Sequence, residues 1–328
     1  MNTPSLFGAV QMGYVLVESN RLREWQRFLH QGIGFHLAAS GDEAIALRMD
    51  DHARRIVVRR GDAEDLVAVG LQLRDRPTLD AVLARLAERG IDVTPGDGTQ
   101  AALRGVKAFW QVEGPKRLAV ELFVDPVRTD EPLHMLAGGF VTGAGGFGHV
   151  AITSRRPATM QRFWQELFDA RVSDTIEDEL GGVMLDITFL RFNERHHSIA
   201  IAATRGVRVD PIRTKAQHIS FLASSMDDVA GAFRRLKDLG FTMAHEIGQH
   251  PNDREISFYA IGPSGFEIEL GCDALVVDEA TWKPTSYHGI SLWGHKPPNP
   301  TLAHGLRVNA GNLKRGVASL LHPEYSPI

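Results

Sequence analysis

Across 328 residues the chain has one cysteine, Cys272. That excludes an internal disulfide and fits a reducing compartment. No stretch approaches the roughly 18 consecutive apolar residues that a membrane-spanning helix needs. The first residues, Met1-Asn2-Thr3-Pro4-Ser5, carry no basic segment followed by an apolar one, so no signal peptide is expected. An excess of one charge is also missing. Lys and Arg number 36 against 40 Asp and Glu, a net charge of −4, which leaves no global electrostatic footprint for nucleic acid or an anionic membrane. The expectation is a cytoplasmic protein whose partners are small molecules. With 43% hydrophobic and 23% charged residues the composition is that of a globular chain, and the length suggests about two domains.

Residues 137–148 read AGGFVTGAGGFG, six of the twelve being glycine, and mark a linker. They contain a formal GxGxxG at Gly143, Gly145 and Gly148. A dinucleotide-binding reading requires that pattern to open a helix; here His149-Val150-Ala151-Ile152-Thr153 follows, which reads as a strand. The halves on either side repeat one another. Gly13-Tyr14-Val15 and Gly148-His149-Val150 open β-like runs, and the Gln-Arg-Phe triplets at 26–28 and 161–163 share the same offset of 135. Ala68–Leu73 matches His218–Ala223, with Arg85-Leu86 and Arg235-Leu236 keeping their offset of 150, and Ala119–Leu122 matches Glu267–Leu270 at 148. Small drift of this kind is the mark of a tandem duplication. Each half reads as two smaller units of strand, amphipathic helix and short strands, with Gly90 and Gly240 placed as C-caps. Four βαβββ modules paired into two similar domains make an α+β fold.

Ten of the 14 histidines follow the linker. At matched positions Tyr14 stands opposite His149, Ala68 opposite His218, and Glu121 opposite Glu269. The second half thus adds two imidazoles to a carboxylate that both halves keep. Two His and one carboxylate form the facial triad of non-haem Fe(II) oxygenases, which leaves positions open for substrate and O2.

Gly248-Gln249-His250, seven further residues, and then Phe258-Tyr259-Ala260-Ile261-Gly262-Pro263-Ser264-Gly265-Phe266-Glu267-Ile268-Glu269 resemble the signature of the type I extradiol ring-cleavage dioxygenases of the vicinal oxygen chelate superfamily. Gly262 departs from it at a turn position. Asn193-Glu194-Arg195-His196-His197-Ser198 resembles the family's NxRHH(S/T) segment, and Asp253 and Ser291–His295 match too. The resemblance covers essentially the whole chain and is strongest to the 2,3-dihydroxybiphenyl 1,2-dioxygenase branch, in which the N-terminal domain has lost its metal. It implies the vicinal oxygen chelate (glyoxalase-like) fold, with a metal-free domain at 1–136, the linker at 137–147, a catalytic domain at 148–273 and an extension at 274–328 packed on it. It implies Fe(II), or alternatively Mn(II), bound by His149, His218 and Glu269; strand alternation is expected to turn Glu267 to the opposite face. It implies catalytic roles for His197, His250 and Tyr259, the last two contacting the catechol hydroxyls, and places Asn252 and Asp253 beside them. His196 is expected to be a structural neighbour, and Trp293-Gly294-His295 to pack the extension. The substrates would be O2 and a substituted or bicyclic catechol, and the protein would be a homo-oligomer. Two alternatives keep the scaffold. One is another metal enzyme of the superfamily, such as a 4-hydroxyphenylpyruvate dioxygenase-like protein, and the other is a non-catalytic aromatic-ligand-binding protein. His197, His250 and Tyr259 speak against the first and the intact triad against the second.

Overall fold

The computed structural model describes residues 5–180, 183–206, 215–297 and 324–328. Part of the expected C-terminal extension, with His304 and His322, lies outside the described residues. The first half runs β1 (Val10–Glu18), α1 (Leu22–Gln26) continuing into a π-helical segment (Arg27–Ile33), β2 (His36–Ser40), β3 (Ala44–Arg48) and β4 (Ile56–Arg59). It continues with β5 (Asp65–Leu73), α2 (Arg76–Glu88), β6 (Val93–Pro95), α3 (Gly98–Arg104), β7 (Trp110–Glu113) and β8 (Ala119–Phe123). The second half runs β9 (Gly148–Thr153), α4 (Pro157–Phe168), β10 (Arg171–Leu180), β11 (Val183–Arg191) and β12 (Ile199–Thr204). After these come β13 (Ala216–Leu222), α5 (Met226–Asp238), β14 (Met243–Gln249), β15 (Ile256–Ile261), β16 (Glu267–Cys272) and β17 (Thr285–His288). No helix among the described residues is long and apolar enough to cross a membrane.

The strands form two sheets, ordered β2-β3-β4-β1-β5-β8-β7-β6 and β14-β15-β16-β13-β9-β12-β11-β10-β17. Local signals define the helices. The Asp75 side chain accepts from the backbone of Thr78 to start α2, and Ser225 accepts from Asp228 to start α5. Gly90 and Gly240 follow those helices with φ of 64° and 82°, as expected of C-caps. α3 and β17 lie outside the repeat pattern legible in the sequence. β17 pairs in parallel with β10 and extends the second sheet.

Strand alternation sorts the side chains into two environments. Val15, Val69, Val120 and Leu122 in the first sheet, and Val150, Ile152, Ile219, Phe221, Ile268 and Leu270 in the second, join one apolar core with the helices. That core runs through both halves. Trp25 of α1 stacks on Phe266 at 5.5 Å and donates to Ser264 Oγ at 3.0 Å. Arg235 of α5 donates to the carbonyls of Gly32 and Ile33 at 2.9 Å each, closing the π-helical segment from the opposite half. The Gly-rich stretch is packed rather than loose: Phe147 is buried, and Met12 bridges Gly146.

The remaining face of each sheet carries the matched positions. Tyr14 pairs with Gly70, and Gly70 with Glu121. In the second sheet His149 pairs with Ser220, and Ser220 with Glu269. The registers are therefore equivalent. In the first sheet Arg104 Nη2 and Nε donate to the two oxygens of Glu121, at 2.6 Å each, and the Tyr14 hydroxyl donates to one of them at 2.6 Å. A Cβ at Gly70 would sit 2.4 Å from the Tyr14 ring, so the phenol needs glycine there. Arg104→Ala strands a buried carboxylate and is expected to cost about 3–5 kcal/mol. Arg104→Met combined with Glu121→Gln is expected to cost much less, and urea denaturation of the two variants measures the difference.

Candidate metal and catechol site

β9, β13 and β16 are adjacent, and their alternation brings His149, His218 and Glu269 together on the face away from the helices. His149 Nε2 lies 2.9 Å from His218 Nε2. Glu269 Oε2 lies 3.2 Å from the first and 3.4 Å from the second. All three side chains are buried. His218 Nδ1 bonds to Gln217 Oε1, which turns the lone pair of Nε2 inward. Burial, with His149 nearby, pushes the His218 imidazole down to about 3, so it stays neutral. Glu269 Oε2 is buried without a hydrogen-bond partner. Despite its burial the carboxyl is held well below the usual range by His149, His250 and His218. Converging acceptors with an orphaned carboxylate oxygen call for a cation. Atoms about 3 Å apart span one face of an octahedron whose metal–ligand bonds are about 2.1 Å.

Two other groups among the described residues could hold a metal: Asp50, Asp51 and His52, and His196, His197 and Asp253. The first already has its cations, since Arg55 donates to Asp50 and Arg128 to Asp51. In the second, His196 is committed to Asp174 at 2.8 Å.

Around the three donors the expected partners assemble. Glu269 Oε1 accepts from Ser257 Oγ at 2.7 Å and lies 3.3 Å from His250 Nε2. His250 Nδ1 donates to the Ile290 carbonyl at 2.6 Å, and its Nε2 lies 2.8 Å from the Tyr259 hydroxyl. Burial disfavours a charged His250, but the bond to Glu269 and its charge win and lift it to about 9. Burial and Glu269 push the Tyr259 phenol well above its usual value. His197 stacks against His149 with ring centroids 3.9 Å apart and meets Phe189 at 4.8 Å. Burial and the neighbouring imidazoles hold it well below the ordinary histidine value. Asp253 Oδ2 lies 3.7 Å from His197 Nδ1, while its Oδ1 accepts from the Glu255 backbone at 3.0 Å. Asn252 is buried beside it with Nδ2 unpartnered.

The loop bearing His196 and His197 is held by its own motif. Asn193 Nδ2 donates to the Val10 carbonyl at 2.9 Å, and Arg195 reaches the carbonyls of Gly145, Gly146 and Val141.

Some expectations need correction. Glu267 does not point away: residues two apart on a strand share a face. Its Oε2 accepts from Gln217 Nε2 at 2.9 Å, and burial together with Glu269 lifts its carboxyl to about 7. His295 does more than pack the extension. It stacks on His250 at 4.3 Å, bonds Ser291 Oγ through Nδ1 at 2.7 Å, and lies 3.2 Å from the Ser257 carbonyl through Nε2. His245, which sequence reasoning left without a role, packs on Tyr259 at 5.3 Å. Gln217, Ser257 and Asp174 were missed as well. Ser257 was within reach, since it shares the face of Tyr259 two residues on.

Residues 146–270 match the family model described as Glyoxalase/Bleomycin resistance protein/Dioxygenase superfamily, and residues 12–61 match that of dihydroxybiphenyl dioxygenase BphC D1. A biphenyl-2,3-diol 1,2-dioxygenase of Metapseudomonas furukawaii is 32% identical over 87% of this chain and 93% of its own length. The chain belongs to the two-domain type I extradiol ring-cleavage dioxygenases. An iron-dependent extradiol dioxygenase of Rhodococcus jostii (strain RHA1) is 27% identical over 87% of this chain and 96% of its own. The crystal structure of a halotolerant catechol dioxygenase superposes with a TM-score of 0.80 at 29% identity, covering 88% of this chain and 95% of that one. The family fold agrees with the four-module α+β expectation.

The site also makes stability depend on pH. In the metal-free protein His218 and His295 have folded values near 3 and 4, below the roughly 6.5 of a free imidazole. On acidification the unfolded chain takes these protons first, so their contribution is full above about 6.5 and is lost towards 4. His250 has the opposite sign: its contribution is full below about 6.5 and is lost as pH rises through about 9. Glu267, lifted to about 7, has the sign of His250: its contribution is full below about 4.5 and is lost as pH rises through about 7. Substitution isolates one imidazole: in urea titrations of metal-free protein, the change in stability from about pH 7 to pH 5 is expected to be less unfavourable in His295→Gln than in the wild type, and an unchanged difference would contradict this assignment.

Proposed function

We propose that this dioxygenase opens a substituted or two-ring catechol beside, rather than between, its hydroxyls, inserting both atoms of O2 with Fe(II) held by His149, His218 and Glu269. The observation that carries the metal assignment is the orphaned, buried Oε2 of Glu269 facing two imidazole nitrogens. Iron is supported by the iron-dependent relative and by a donor set that leaves positions open; Mn(II) suits the same donors. Bound there, the metal would acidify a catechol hydroxyl as a Lewis acid and pass electron density between a singlet substrate and triplet O2.

The chain's own residues do the rest. The Glu269 carboxylate offsets part of the metal charge, and two neutral imidazoles leave room for a catecholate monoanion to offset more. His250 and Tyr259, 2.8 Å apart, are placed to donate hydrogen bonds to the catechol oxygens. His197, on the other side of His149, is neutral and buried, and it serves as the acid–base group on the O2 side. Asp253, in the turn after His250, faces His197 Nδ1 at 3.7 Å, and Asn252 lies buried beside it. Beyond His197 lies an apolar floor of Ala151, Ile176, Phe189 and Ala200, joined by Ile187, Tyr287 and Ile290. An uncharged aromatic or alkyl substituent fits that surface. In domain terms residues 148–273 carry the catalysis and residues 1–136 carry none. The single cysteine accords with the cytoplasm.

The test is direct. The chain is loaded anaerobically with Fe(II), mixed with 2,3-dihydroxybiphenyl and other substituted catechols, and exposed to air. A yellow ring-opened product with matching O2 uptake is expected, and absence of product across the panel would overturn the reading. Strong chelation is expected to abolish activity. His218→Ala and Glu269→Ala are expected to lose iron. His197→Ala and Tyr259→Phe are expected to keep it and lose about 10-fold or more in kcat, roughly 1.4 kcal/mol of barrier. Iron content per chain beside single-turnover rates separates the two groups.

A further inference from the structure

Asp174 on β10 is a buried carboxylate to which the reading above gives no task. Both of its oxygens are committed. Oδ1 accepts the backbone N–H of Thr285, at the start of β17, at 2.6 Å. Oδ2 lies 2.8 Å from His196 Nε2. On the other side of that ring, His196 Nδ1 lies 3.1 Å from His197 Nδ1. Asp253 Oδ2, at 3.7 Å from the same His197 nitrogen, is too far for a hydrogen bond. His196 is therefore the hydrogen-bond partner of His197 Nδ1 among the described residues.

We infer that Asp174, acting through His196, dictates which ring nitrogen of His197 carries hydrogen. A carboxylate can only accept, so a neutral His196 keeps its hydrogen on Nε2 and presents a lone pair at Nδ1. His197 then donates from Nδ1 and keeps Nε2 bare, in the state required to take a proton. Asp174 and His196 are positioning residues, since neither touches the three donors. Asp174 also ties this chain of bonds to the C-terminal strand, because the Thr285 N–H occupies its second oxygen. The inference rests on the assignment of His197 as the acid–base group.

Asp174→Asn tests it with an isosteric side chain. The Thr285 N–H holds the amide oxygen, so the NH2 group faces His196 Nε2 and the chain of bonds runs backwards. His196 then carries hydrogen at Nδ1, and His197 carries it at Nε2. In the full-length chain labelled with 15N-histidine and loaded with diamagnetic Zn(II), the wild type is expected to show His197 protonated at Nδ1 and the variant at Nε2. In the Fe(II) enzyme the variant is expected to keep its iron content and KM while kcat falls by about 10-fold or more. A merely structural Asp174 would leave the tautomer unchanged. A variant that keeps both the wild-type tautomer and kcat overturns the inference. So does a wild-type His197 protonated at Nε2, a result that stands even if the variant misfolds. A tautomer switch in a protein that cleaves no catechol would instead overturn the proposed activity and leave the role of Asp174 intact.

Discussion

Glu121 and Glu269 occupy the same register position in two sheets, each closed off from water, and a buried carboxylate has to be met by positive charge. The first half meets it with the Arg104 guanidinium, bonded to both oxygens, with Tyr14 donating a third bond. The second half has no arginine at this place. It turns His149 and His218 towards Glu269 and leaves one carboxylate oxygen without a hydrogen bond. A guanidinium is a permanent cation with no open valence, whereas a metal ion is a cation with room for ligands. Under the function proposed above, that single difference separates a structural half from a reactive one.

The other contacts of the molecule keep this arrangement dry and aimed. The helices share one apolar core with one face of each sheet, and the polar site residues lie on the opposite faces beside smaller apolar clusters. The Arg235 and Trp25 contacts dock the halves rigidly. Arg195 holds the Gly-rich stretch by three carbonyls, so the NxRHH segment is both a brace between the halves and the carrier of His197. Oxygen chemistry benefits from such rigidity, because a donor misplaced by an ångström loses most of its effect.

The polar network around Glu269 is graded in charge. His218, His197 and His295 are pushed towards neutrality by burial, whereas His250 is held charged by Glu269. The cation-bearing imidazole therefore lies on the Tyr259 side and the neutral ones face His149 or stack behind. A proton acceptor and a proton donor are thus kept apart without any change of fold.

Sequence alone determined the duplication, the four-module plan and the identity of His149, His218 and Glu269 as a set. Those properties are local: apolar alternation along strands, glycine caps, and matched offsets between halves survive in the linear order of residues. The motif also led to His197, His250 and Tyr259. Tertiary structure decided what fills the empty position. Arg104 lies on α3, outside the repeated pattern, and nothing in its neighbourhood points to Glu121, 17 residues on. His295 and Thr285 come from the extension and reach the site only because β17 adds to the sheet edge and the following segment covers β14. Asp174 and His196 are 22 residues apart and acquire a joint task only when β10 brings the carboxylate beneath the loop. Hydrogen-bond direction depends on distances between atoms far apart in the chain, and folding alone sets those distances.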